Sequence, residues 1–379
     1  MGTNGNGHHE KTVVVLQLSG GNDALNTVIP YNDGQYYDNR PFVNIPQDKV
    51  LKLDDKLGLN PALAPIKSLW DEGNVALING VGYPSPNRSH FRSMDVWHTA
   101  ESEQVGEDGW LGRAIRELDP QAENVLTGVN FGRGLPRALY AKGVPVASVG
   151  NLETYGLFPD IKDEAARNLA LEAFTQMYGG SGRDVIANFI SQTGTDALKG
   201  ADVLRVAPQR YSSSVEYADN PIAENMKSIA QVMTAGLGTR VYYTQHGSFD
   251  THASELTSHA KLWQDVSGAV GDFMDDMREH DMDKDVVVLL FSEFGRRIKD
   301  NGAGTDHGSG GVAFVIGGDV NGGMYGDFPS LDDDKQLEGD LHFSNDFRST
   351  YSTIAERWLG IDPVTTTNGQ YEQFDFISK

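Results

Sequence analysis

Residues 286–318 read VVVLLFSEFGRRIKDNGAGTDHGSGGVAFVIGG. An apolar run of strand length, Val286 to Phe291, stops at an acidic residue, Glu293. A polar, glycine-bearing loop follows, Asp306-His307-Gly308 punctuates it, and a second apolar run leaves at Val312 to Ile316. Two buried strands thus deliver carboxylates and an imidazole to one place. Burying such groups at strand ends is costly unless they are paired or hold a cation, so the pattern points to a site.

The same arrangement recurs upstream. Thr12 to Leu18 (TVVVLQL) is a continuous, largely β-branched run, the pattern of a strand buried on both faces of a parallel sheet. It ends in Ser19-Gly20-Gly21-Asn22-Asp23, and glycines there let the backbone turn into the crevice where α/β proteins bind ligands. Asp23 is therefore a candidate metal ligand or catalytic carboxylate; capping of a turn by Asn22 or Asp23 is the alternative. Arg240 to Thr244 (RVYYT) is a further strand and runs into Gln245-His246-Gly247-Ser248-Phe249-Asp250-Thr251-His252. Asp250 or Thr251 could cap the helix expected from about Ala253 to His280, but a cap explains neither His246 nor His252. An Asp two residues from a His, directly after a strand, is a metal-ligand pattern.

Between these lies Val75 to Ile78 (VALI), read as the second strand, then NGVGYPSPNRSHFRSMDVWHTA. Phe91, Met94 and Trp97 fall at helical spacing, which places Ser89 at the helix start. A hydroxyl there meets unpaired N–H groups and suits either a cap or a nucleophile attacking an anionic ester. His90 and His98 are read as packing or supporting residues.

The charge of −22, from 31 Lys and Arg against 53 Asp and Glu, opposes nonspecific binding to nucleic acid or anionic lipid. An anionic substrate would need local positive charge from a metal or arginine. No cysteine is present, which removes disulfides, thiolate metal sites and a Cys nucleophile. No apolar run is long enough to span a membrane. Neither a dinucleotide fingerprint nor a P-loop follows the first strand.

Elsewhere, Asn60-Pro61 opens a helix that closes near Gly73. Val125 to Val129, Ala138 to Tyr140 and Val144 to Val149 are short strand candidates, and Phe343 to Leu359 reads as a capped amphipathic helix. From about 152 to 238 the strand signal fades and Ala and Leu recur at helical spacing. The expected architecture is a three-layer α/β sandwich with a mostly parallel central sheet: a disordered tail over 1–11, then one domain over 12–379 carrying a helical insertion at about 152–238.

GGNDALNTVIPY, NRSHF, FDTH, SEFGRR and TDHG followed by FVIGG resemble, in that order, the alkaline phosphatase and sulfatase superfamily. Within it they are most similar to a large bacterial branch classed as a domain of unknown function, often exported by the twin-arginine route. The resemblance spans residues 12 to 360. It implies Asp23 as the first-strand metal ligand, Ser89 near the place of the nucleophile, Asp250 and His252 as the Asp and His of one metal, and His307 as the late His ligand. Glu293 stands where the superfamily usually has Asp, and Asp306 is read as a ligand or as support to His307.

Two departures matter. Glu293-Phe294-Gly295 replaces the usual Asp-His-Gly, so a second metal position would have Asp23, Glu293 and Asp306, an oxygen set suited to a hard ion. The sulfatase signature around Ser89 is missing.

The function expected is metal-dependent hydrolysis of a phosphate ester, less readily a sulfate ester. Its nucleophile would be Ser89, a metal-bound water or Ser85, and Arg88 or Arg296 would hold the ester oxygens. Zn, Mn, Mg and Ca remain open as the ion. The resemblance implies a periplasmic or extracellular location. A noncatalytic exported metal-binding or assembly protein that keeps the fold is the alternative.

Overall fold

Thr12–Leu18 forms β1, with every residue buried, because both faces of this strand meet apolar layers. Val14 and Leu16 join one core; Val13 and Val15 join the other. The period-two alternation of a strand divides them. The computed structural model describes residues 10–152 and 203–378, with scattered positions between.

The main sheet contains β1, β2 (Val75–Gly82), β3 (Gly128–Phe131), β4 (Ala147–Val149), β5 (Val241–His246) and β6 (Val286–Phe291). Two short strands, β7 (Arg296–Asp300) and β8 (Thr305–His307), form a separate antiparallel hairpin. The main sheet continues with β9 (Gly311–Ile316), β10 (Gly323–Tyr325) and β11 (Asn345–Asp346). Its order is β10-β2-β9-β6-β1-β5-β3-β4, with β11 also on β2. All pairings are parallel except those of β9, which runs antiparallel to both β2 and β6.

Helices α2 (Ala64–Asp71), α5 (Pro221–Thr234) and α6 (Glu255–Glu279) cover one face, α1 (Gly34–Asn39) lying in the loops before them. Helices α3 (His90–Thr99), α4 (Trp110–Leu118) and α7 (Phe347–Thr353) cover the other. This is the three-layer, mostly parallel α/β arrangement expected. No helix among the described residues is long and apolar enough to cross a membrane.

Local expectations fared unevenly. Asn60 accepts from the Ala62 N–H, but Pro61–Leu63 makes a tight 3-10 turn before α2 begins. Ala138 to Tyr140 is not a strand; Arg137–Leu139 is a 3-10 turn. The C-terminal helix starts at Phe347, capped by Asp346, and its last stretch, Ile354–Leu359, widens to π-helical turns. Much of the first part of the expected insertion at 152–238, within 153–202, lies outside the described residues, as does the tail up to residue 9. The described end of the insertion contains α5, whose Ile222, Met226, Ile229 and Met233 pack on the sheet.

Register fixes where the site can form. Gln17 of β1 pairs with Gln245 of β5 and with Phe291 of β6, so these three strands end level. Their loops, 19–23, 247–252 and 292–295, leave the sheet side by side. Because β9 is antiparallel, its start lies at the same edge, Gly311 being opposite Val81. A parallel β9 would have sent His307 to the far side.

Candidate metal centre

Three histidines turn toward one carboxylate. His90 is the first residue of α3, His252 follows β5, and His307 ends β8. His90 Nδ1 lies 2.9 Å from Glu293 Oε1. His252 Nδ1 lies 3.0 Å from Asp306 Oδ1, and His307 Nδ1 lies 2.9 Å from the Arg88 carbonyl. Carboxylates and carbonyls only accept, so each Nδ1 carries the proton and donates it. In neutral imidazole that leaves Nε2 as the lone-pair atom, free to take a cation; without a cation, the contacts of His252 and His307 to Asp250 need a proton on Nε2.

Those lone pairs converge. His307 Nε2 and His252 Nε2 are each 3.0 Å from Asp250 Oδ1, and His90 Nε2 is 3.6 Å from Asp250 Oδ2. His252 Nε2 and His307 Nε2 stand 3.1 Å apart. One ligand atom each from His90, Asp250 and His307 all lie within 4.8 Å of one another. Two imidazole lone pairs facing at such a distance repel unless a proton or a cation sits between them. Imidazoles whose outer nitrogen is held by a carboxylate or carbonyl are the usual form of metal-binding histidine.

Electrostatics supports the arrangement. Burial opposes charge on Asp250, but Arg296 and His307 outweigh it and hold its pKa down to about 2. The hydrogen bond to Glu293 raises the pKa of His90. The hydrogen bond from His252 keeps Asp306 low. Phe294 supplies an apolar wall: its ring centroid is 4.9 Å from that of His90 and 4.8 Å from that of His307.

Close packing of loops holds the groups. Gly20 has φ +127, and a Cβ there would lie 2.4 Å from the Asp250 nitrogen, so only glycine lets the β1 loop approach so near. The Gly20 N–H then donates to Glu293 Oε1 at 2.9 Å.

Several of the expected site residues lie apart from the cluster or are engaged with other groups. Asp23 is not in the cluster: both its oxygens accept from the buried guanidinium of Arg40. Burial raises its pKa, yet Arg40 more than compensates and holds it well below the usual carboxylate range. Glu293 and Asp306 orient His90 and His252, so the oxygen set of a second metal position is dispersed to three separate partners. Arg296, fully buried, donates to the carbonyls of Gly20, Gly21, Phe249 and Thr305 and to Asp250, which leaves it no face toward an ester. Arg88 is turned to Asp340, with Nε at 2.9 Å and Nη2 at 2.7 Å. Ser89 is exposed at the start of α3 and makes no side-chain cap. Ser85 is exposed too, in a left-handed turn with φ 56.

His90 is the residue that sequence reasoning missed. Its signal was present in NRSHF: a helix's first residue, after a strand end, points back over the sheet edge. His98 is a packing residue as expected, hydrogen-bonded to Gln17 and Tyr243, its pKa lowered to about 4 by burial.

Two predictions arise here. Asp306 is half-exposed and touches the cluster only through His252, so Asp306→Ala should spare the fold and weaken metal affinity by roughly 10–100-fold. Unchanged affinity in a competition titration would remove Asp306 from the site. Glu255, buried beside Asp23, has its pKa pushed up to about 9 by burial and then by the Asp23 charge. A folded pKa above the unfolded one adds stability that is complete below the unfolded value, 4.5, and is lost as pH rises toward about 9. Glu255→Gln should therefore flatten the fall in stability between mildly acidic and mildly alkaline pH in urea melts. Parallel slopes for the two proteins would contradict it.

Comparison with known proteins gives one family and a distant structural likeness. The model of a family described as "Protein of unknown function (DUF1501)" matches residues 75–369. No curated protein matches in sequence. Among solved structures, the PsFucS1 sulfatase from Pseudoalteromonas sp. is similar over 97% of this chain and 71% of its own, at 12% identity and TM-score 0.43. An alkaline phosphatase superfamily protein from Vibrio parahaemolyticus is similar over 96% and 70%, at 9% identity and TM-score 0.39. The C-terminal periplasmic domain of EptC from Escherichia coli, in a zinc complex, is similar over 82% and 73%, at 8% identity and TM-score 0.39. Likeness of this size concerns gross arrangement alone.

Proposed function

We propose a function from the site itself, because the chain belongs to the DUF1501 family and that family's description, protein of unknown function, assigns no chemistry. The reading is a metal-dependent hydrolase of phosphate esters, with sulfate esters second. The observation that carries it is the convergence of the Nε2 atoms of His90, His252 and His307 on Asp250.

The donor set fits a divalent ion. Imidazoles with one carboxylate suit zinc or manganese better than magnesium or calcium, which prefer all-oxygen shells. Asp250 Oδ1 already accepts from Arg296 at 2.7 Å, so Oδ2 is the freer ligand atom. When bound, the ion would polarise an ester oxygen and lower the pKa of a nearby water or hydroxyl.

The chain's own groups supply the rest. His90, His252 and His307 offer fixed lone pairs because their other nitrogens are tethered. Ser89 precedes His90 directly, and its uncapped hydroxyl stands at the N-terminus of α3 as the candidate nucleophile. Without a side-chain cap, the first N–H groups of α3 are open to anionic oxygens. The wall of Phe294 limits water on the inner side of His90 and His307.

A second reading, a noncatalytic metal-binding or assembly protein, is favoured by one observation. Both arginines expected to grip an ester already hold a carboxylate of the chain, Arg88 that of Asp340 and Arg296 that of Asp250. A periplasmic or extracellular location belongs to both readings and rests on the resemblance alone.

Hydrolysis of aryl phosphate, phosphodiester and aryl sulfate by the metal-loaded protein separates them. Turnover that Ser89→Ala abolishes, with metal content intact, supports Ser89 as nucleophile. Turnover retained in that variant assigns the role to water or Ser85. No turnover on any of the substrates, with metal bound, supports the second reading.

A further inference from the structure

We infer that Arg40 is a built-in cation, its guanidinium filling the place that a second divalent ion would need, so that the chain holds one metal ion. The inference rests on the histidine cluster being a metal centre and adds how many ions the site takes.

Close to the cluster along the chain lies a second, fully buried group of polar side chains. Asp23, Glu255 and Arg40 are all fully buried. Arg40 Nη1 and Nη2 donate to the two oxygens of Asp23, while Nε donates to the Ile298 carbonyl at 2.9 Å and Nη2 to the Arg297 carbonyl at 2.8 Å. Glu255 accepts from Asn26 Nδ2 at 2.9 Å and from Thr305 Oγ1 at 2.6 Å. One carboxylate and two carbonyls around one positive charge, with the Glu255 carboxyl near enough to act on it, make the kind of oxygen set that hard cations occupy. Here the positive charge is part of the chain.

This group shares chain segments with the histidine cluster. Thr305, which donates to Glu255, stands two residues before His307 on β8. Glu255 opens α6 three residues after His252. The Thr305 carbonyl accepts from Arg296, which also holds Asp250. The other acids near the cluster are already engaged, Glu293 with His90 and Asp306 with His252. Among the described residues, a second ion would have to displace the fully buried Arg40 to reach the Asp23 carboxylate.

The test counts bound ions by metal analysis and by titration of the chelator-treated full chain with zinc, manganese and magnesium. Wild type should bind one ion per chain. The double variant Asp23→Asn/Arg40→Met removes the buried pair together, which proteins tolerate better than removal of one partner. It should still bind one ion, because neither residue is a ligand. Arg40→Met alone leaves Asp23 and Glu255 facing an emptied place and should gain a second, weaker site that takes manganese or magnesium.

Two ions in wild type would overturn this inference and leave the metal-centre reading standing; none would overturn both. Loss of the ion in the double variant would make Asp23 a ligand and overturn the inference. A folded Arg40→Met protein that gains no second site would overturn it as well. Should Arg40→Met fail to fold, the wild-type count and the double variant decide.

Discussion

Replacing His307 with alanine is expected to empty the metal centre. His307 Nε2 is 3.0 Å from Asp250 and 3.1 Å from His252, so its loss opens the set at the middle and not at an edge. The remaining groups would bind a divalent ion at least ~100-fold more weakly, by the scale on which even supporting residues cost 10–100-fold. Hydrolysis should fall below detection at metal concentrations that saturate wild type. Where metal is present at about 100 times its dissociation constant, it contributes about 2.7 kcal/mol to stability, which the variant forfeits. Thermal melts with and without metal would then coincide for the variant and differ by several degrees for wild type. His252→Ala should behave similarly. Undiminished metal content in His307→Ala would mean that the cluster is a proton-sharing network.

Arg296→Met should be the most damaging substitution for the fold. This guanidinium has no solvent exposure and ties together the β1 loop, the Phe249-Asp250 turn and the β8 strand. Its removal takes a donor from four carbonyls, of which that of Phe249 keeps the Thr251 N–H, and leaves Asp250 without its guanidinium partner. Leaving buried carbonyls unpaired costs about 1–3 kcal/mol each, so the total should reach several kcal/mol. Metal binding should weaken in parallel, because Asp250 loses the contact that holds its carboxylate in place. Arg296→Lys should recover little, since an ammonium cannot span the carbonyls of three segments. A melting temperature within a degree or two of wild type would refute the role of Arg296 as a clamp.

The fold was legible where burial is two-sided. TVVVLQL and VVVLLF are continuous apolar runs, and such runs in this length range read as interior parallel strands. Ala138 to Tyr140 misled because two apolar residues and a tyrosine carry no period; a turn packs them equally well. The direction of β9 was not legible, since an apolar run is the same read either way, yet that direction brings His307 to the site.

The grouping of Asp250, His252 and His307 was legible in outline for a related reason. All three lie at or shortly after strand ends, and strand ends at one edge meet. Asp23 follows a strand end as well, but its partner is Arg40, seventeen residues on in a loop whose path no local pattern specifies. Arg88 and Arg296 carry the right charge for an ester, but sequence does not say which guanidinium donors the backbone already occupies. His90 was passed over because spacing alone does not distinguish a packing histidine at a helix start from one aimed at a carboxylate across the sheet edge.

The most direct test of the metal centre is X-ray absorption at the metal edge on the purified, metal-loaded protein. The account predicts a shell of nitrogen and oxygen at about 2.0–2.2 Å with the outer scattering of several imidazoles, lost on chelation and absent from His307→Ala. A protein that takes up no metal, or whose ion sits in an all-oxygen shell without imidazole scattering, would contradict it.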